Sequence, residues 1–103
     1  MAAKLCNNLM VMVNLQAVVE ALRIAGAAGI EPERMIELAS AGTADSWALR
    51  HGFALLRRAR SEPVASTQAQ MQAKDLELAV KLARELGDRA EIAEFFLQRA
   101  RQS

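Results

Sequence analysis

The stretch Ala3-Lys4-Leu5-Cys6-Asn7-Asn8-Leu9-Met10-Val11-Met12-Val13-Asn14-Leu15-Gln16-Ala17-Val18-Val19 decides the fold of this chain. Carried on through Glu20-Ala21-Leu22 to Ala28, it predicts one long helix over residues 3–28. Its apolar residues occupy nearly the whole circumference, and a helix apolar on every side is normally buried among other helices. The sequence therefore makes it the central post of an all-α domain. Its head is the exception. Lys4 and Asn8, four residues apart, share a face about one turn from each other. A cation and a carboxamide placed there cost free energy unless something polar meets them.

Working outward, Gly29 supplies a C-terminal stop for this helix. Pro32 in a first turn, flanked by Glu31 and Glu33, starts a short second helix running to about Ala41 and ended by Gly42. Asp45 or Ser46 caps a third, which carries Trp47, Leu49, Phe53, Leu55 and Leu56. Residues 61–66 form the one clear loop. Thr67 with Gln70 makes a capping box for a fourth helix that reaches Leu86 and places Leu76, Ala79, Val80 and Ala83 on one stripe. Gly87 stops it. Asp88 with Glu91 signals a last helix, 89–101, presenting Ile92, Phe95, Phe96 and Arg99 with Leu97 on the flank. Nothing alternates with period two over strand length and no segment repeats. The fold class is all-α: about five helices around a long central N-terminal helix, in one domain spanning 1–103.

Composition narrows the function. The chain is 52% hydrophobic but only 4% aromatic, which favours helices over sheets, and its net charge of +1 singles out no partner. Arg50, Arg57, Arg58 and Arg60 crowd a short span against Glu62 alone. Without interleaved aromatic residues they read as a solvated face rather than a nucleic-acid surface. Cys6 is the only cysteine, so no intrachain disulfide exists and a reducing, cytoplasmic setting is expected. Its place in an apolar helix predicts a buried, inert thiol. Asn7, Asn8, Asn14, Gln16 and Glu20 make the first helix look too polar to span a membrane.

His51 is the only histidine, and it lies far from Cys6, so no zinc-binding spacing exists; nor is there a glycine-rich phosphate loop. Two polar constellations remain: Lys4 with Asn7 and Asn8, and Lys74-Asp75-Leu76 on the first turns of the fourth helix. Taken singly, each is ordinary solvated surface.

Together they carry a resemblance. Ala3-Lys4-Leu5-Cys6-Asn7-Asn8 followed by Val19-Glu20-Ala21-Leu22 resembles the opening of the helical C-terminal domain of the β-hydroxyacid dehydrogenases, in their 3-hydroxyisobutyrate dehydrogenase branch. The run from Gly42 to Ser46-Trp47 is similar to that family's Gly-x-x-x-Ser-Trp stretch. Lys74-Asp75-Leu76-x-x-Ala79, ending at Gly87, is similar to its Lys-Asp-Leu helix. The resemblance implies a fold like the C-terminal domain of 6-phosphogluconate dehydrogenase. It implies a role as that domain of an NAD(P)-dependent oxidoreductase acting on the CH–OH group of a small 3-hydroxy acid. Lys4 would be the catalytic acid/base, desolvated by apolar neighbours; Asn8 and Asn7 would bind substrate, and Lys74 would meet the cofactor, with Asp75 orienting rather than reacting. No metal is implied.

The family's Rossmann domain, with its dinucleotide fingerprint, is missing from these 103 residues. The expectation is therefore a chain inactive alone, with no tight binding of NAD or NADP, which needs that domain as partner and forms a homodimer. Thr67 stands where the family has phenylalanine, and the proline expected after Gly87 is absent. The contrasting expectation is a non-catalytic helical interaction or oligomerisation module.

Overall fold

The structure, a computed structural model, describes residues 1–51, 54 and 67–102, with the side chains of 67–72 outside the description. Phe53, Leu55, Leu56, Arg57, Arg58, Arg60, the 61–66 loop and the Thr67–Gln70 capping box all lie outside the described residues or side chains. Among the described residues there are five helices and no strand: α1 (Ala2–Ala27), α2 (Pro32–Ser40), α3 (Trp47–Arg50), α4 (Thr67–Glu85) and α5 (Glu91–Gln102). The all-α reading holds.

The punctuation follows the chemistry of the residues. α1 ends in a Schellman motif: the Gly29 N–H donates to the Gly26 carbonyl at 3.0 Å and Ile30 N–H to the Ala25 carbonyl at 2.9 Å. Gly29 takes φ +91°, a conformation that side chains disfavour. α4 ends the same way, with Gly87 at φ +84° and the Asp88 N–H donating to the Ala83 carbonyl at 2.8 Å. Pro32 opens α2 from its first turn. Of the two candidate caps for α3, Ser46 fills the place: its Oγ accepts from the Leu49 N–H at 3.0 Å. Asp45 instead grips Arg50 with both carboxylate oxygens, at 3.1 and 2.7 Å.

The chain divides into two compact units, Met1–Val13 with Pro63–Ser103, and Asn14–Glu62. In the first, Met12 of α1 packs with Leu76 and Val80 of α4 and Ala93 and Leu97 of α5, flanked by Leu9, Ala90 and Phe96. In the second, Val18 and Leu22 of α1 pack with Ala48 and Leu49 of α3, while Leu15, Val19, Met35, Ile36 and Ala39 close around them.

Four expectations need correction. α1 is not buried on all sides: it buries Leu5, Met12, Val18, Leu22 and Ala25, whereas Met10 and Ile24 are exposed. Only 17% of its most apolar 18-residue window is buried. That window has a mean hydropathy of 1.5, so by length and composition α1 is apolar enough to cross a membrane, as core helices of soluble proteins also are. The valines, leucines, methionines and alanines around its asparagines and glutamine outweigh them.

Trp47 is exposed, stacked on His51 with ring centroids 4.3 Å apart, and it is Ala48 with Leu49 that enters the core. α5 begins at Glu91, because Ala90 sits at φ +47° and Asp88 Oδ1 accepts the Ala90 N–H at 2.8 Å, closing a turn ahead of the helix. Its core face is Ala93 and Leu97. Ile92 and Phe95, on another side of α5, stay exposed.

Candidate functional site

Helical spacing sets Lys4 and Asn8 one turn apart near the start of α1, and α4 brings Asp75 to meet Asn8. Asn8 Nδ2 donates to Asp75 Oδ2 at 3.1 Å across 67 positions of sequence. Asn7 Nδ2 donates to Asn8 Oδ1 at 3.5 Å, the outer limit of such a bond. Asn8 and Asp75 are half-buried, while Lys4, Asn7 and Lys74 are exposed. The two polar constellations of the sequence are thus joined at Asn8 and Asp75, within one compact unit. Leu5 is buried beside Lys4, and Leu76 beside Asp75. These anchors fix where the polar residues on each helix emerge.

Two expectations fail here. Lys4 is exposed, so the described residues do not supply the desolvation foreseen for it. Cys6 is also exposed rather than buried, because the inward face of this turn is taken by Leu5 and Leu9. Sequence reasoning gave Asp75 an orienting part but left it off the site itself. The available signal was the unmatched amide at Asn8, which calls for a polar partner wherever the fold half-buries it.

Chemically, the arrangement offers two ammonium groups, at Lys4 and Lys74, and an amide held by a carboxylate. Among the described residues neither ammonium is held in an ion pair or hydrogen bond with a carboxylate. That donor set suits an anionic ligand that also carries a hydroxyl or carbonyl oxygen. Among the described residues no group of three or more His, Cys, Asp or Glu is placed to hold a metal ion. A separate open groove of about 660 Å³ is lined by Val80 and Leu97 with three carboxylates and three cations, Glu77, Glu85 and Glu94 against Lys81, Arg84 and Arg101. Its charges balance, Arg84 pairs with Glu94 and Arg101 with Glu77, and it contains none of Lys4, Asn7, Asn8, Lys74 and Asp75.

The chain belongs to the family described as NAD-binding of NADP-dependent 3-hydroxyisobutyrate dehydrogenase, whose model matches residues 1–102. The match includes the segment after Gly87, where the sequence departs from the expected proline. No curated protein and no solved structure matched the chain. The family places NAD(P) in the complete enzyme.

Proposed function

We propose that this chain forms the helical wall of the active site of an NAD(P)-dependent 3-hydroxy acid dehydrogenase, as a single C-terminal domain working in the cytoplasm. The observation that carries this reading is the Asn8–Asp75 hydrogen bond, which draws the family-like motifs of α1 and α4 into one polar cluster. Lys4 exchanges the proton of the substrate hydroxyl. A lysine amine that takes up the hydroxyl proton as hydride leaves the carbon, or an ammonium that returns it in the reverse direction, stabilises the charge developing on the oxygen, an effect of about 10²–10⁴-fold in rate. Asn8, with Asn7 beside it, binds the substrate oxygen, and Lys74 meets a phosphate or carboxylate.

A nicotinamide cofactor would supply the hydride chemistry when bound in the complete enzyme. Of this chain's residues only Lys74 is assigned to hold it. One exposed lysine is far less than the backbone cradle a dinucleotide requires, so a Rossmann domain completes the cleft and the isolated chain neither turns over nor binds cofactor tightly. Such a domain also supplies the water exclusion that Lys4 lacks here.

The test is dehydrogenase activity on 3-hydroxyisobutyrate with NADP⁺, for the chain alone and with a family Rossmann domain added in trans. The expected outcome is no turnover alone, activity in the mixture, and loss of about 10²–10⁴ of it on Lys4→Ala. Robust turnover by the chain alone, or full activity of the Lys4→Ala mixture, overturns the reading.

A second reading is favoured by the exposure of Met10, Ile24, Trp47 and Phe95: a helical module that associates, in the first instance as a homodimer. Light scattering that finds only monomer at high concentration removes it.

A further inference from the structure

We propose that Asp75 is a positioning residue that turns the Asn8 carboxamide so that its carbonyl oxygen, Oδ1, accepts a hydrogen bond from the ligand's hydroxyl group. This rests on the reading of Asn8 as a substrate contact and adds to it which amide atom does the recognising. A carboxylate only accepts hydrogen bonds, so the end of the Asn8 amide that faces Asp75 must be Nδ2, at 3.1 Å. The amide is planar, and fixing one end aims the other.

A second contact agrees with the first. Asn7 approaches Asn8 Oδ1 with its own Nδ2, a donor, which fits an amide whose nitrogen end faces Asp75 and whose oxygen end accepts. At 3.5 Å that neighbour is too distant to saturate an oxygen with two lone pairs. Both Asn8 and Asp75 are half-buried, which limits the water that competes for this oxygen and strengthens the orientation.

The chemical consequence is discrimination between functional groups. An acceptor aimed at the ligand pairs with an alcohol O–H, and finds no hydrogen in a ligand that lacks the hydroxyl. The remaining Nδ2 hydrogen can serve any acceptor, so the selective atom is Oδ1. The site therefore prefers a 3-hydroxy acid over the same acid without the hydroxyl by the worth of one hydrogen bond, roughly three- to tenfold in affinity.

The test uses the ¹⁵N-labelled 103-residue chain. It has three asparagines, so the Asn8 side-chain amide is assigned by its disappearance in Asn8→Asp. In Asp75→Asn the new carboxamide can donate as well as accept and no longer dictates the orientation. The Asn8 Nδ2 resonances are expected to move and broaden without any ligand; unchanged resonances overturn the proposal.

The second arm titrates 3-hydroxyisobutyrate and isobutyrate. The unaltered chain is expected to favour the hydroxy acid roughly three- to tenfold, Asp75→Asn to lose that preference, and Asp75→Glu, which keeps an acceptor-only group, to recover part of it. The backbone amide spectrum checks that each variant is folded. A preference retained in Asp75→Asn overturns the positioning role. Absence of any ligand-induced shift at Asn8, with the ligand-free difference intact, overturns the substrate reading and the hydroxyl half of this proposal while upholding the amide orientation.

Discussion

The two compact units of this chain are stabilised by contacts of different range. Among the described residues of Asn14–Glu62 the polar contacts are local: Ser46 caps the Leu49 N–H three residues on, Asp45 grips Arg50 five residues on, and Gly29 closes α1 against its own last turn. In Met1–Val13 with Pro63–Ser103 the local stop at Gly87 is joined by contacts that reach across the sequence, from Asn8 to Asp75 and from Glu77 to Arg101. The unit built on distant contacts is the one that assembles the candidate site. A polar pair that no local rule requires is where function is most visible, because local rules already explain the caps and stops elsewhere.

The largest effects come from cutting each core. Leu22 and Leu97 are 2% and 4% exposed, and Leu→Ala at either site costs about 2–5 kcal/mol through lost burial and the cavity left behind. Hydrogen exchange should show Leu22→Ala opening α2 first and Leu97→Ala opening α4 and α5 first. Identical protection patterns in the two variants would mean that the division of contacts is not a division of stability.

Smaller effects come from the two Schellman stops, one in each unit. At Gly29 and Gly87 a Cβ would meet no atom within 4 Å, so the cost of alanine lies in the positive φ alone, about 1–2 kcal/mol. Gly26 is also open to a Cβ but lies inside α1, where alanine is expected to stabilise by about 0.5–1 kcal/mol. Thermal unfolding of Gly29→Ala, Gly87→Ala and Gly26→Ala should therefore give two losses and one gain. A gain at Gly29 would break the parallel between the two stops.

This separation also explains what could be read from the sequence. Pro32, Ser46, Gly29 and Gly87 act on their own neighbours, so their effects are written within a few residues and the helix order followed from them. Which face of α5 turns inward is set by how near α1 and α4 can approach. Ala93 and Leu97 are the residues packed inward, whereas Ile92 and Phe95, the more conspicuous apolar residues, stay exposed. The same holds for α1. Its uniformly apolar surface signalled burial, but the number of helices available to cover it is a tertiary quantity, and Met10 and Ile24 remain exposed. At the site, Lys4, Asn8 and Lys74 were legible as motifs, but the partnership of Asn8 with Asp75 needed the fold.

The smallest expected effect contrasts the carboxylates of the two units. Asp75 faces a neutral amide, whereas Asp45 faces a guanidinium, and the hydrogen bonds from Arg50, reinforced by its charge, hold the Asp45 carboxyl below its ordinary value. A depressed folded-state value means that Asp45 contributes stability above the ordinary carboxylate range, and that this contribution is lost as the pH falls through that range and below it. The pair is exposed, so solvent and salt screen it and its contribution is small. The measurement is the difference in melting temperature between the unaltered chain and Asp45→Asn, followed from neutral pH down to about pH 2, with the acid limit set well below an ordinary aspartate. The difference is expected to be slight at neutral pH, to vanish in acid, and to shrink at 1 M salt. A difference that persisted unchanged in acid would mean that Asp45 acts in unit two as Asp75 does in unit one, through hydrogen-bond geometry rather than charge, and the contrast between the two clasps would fall.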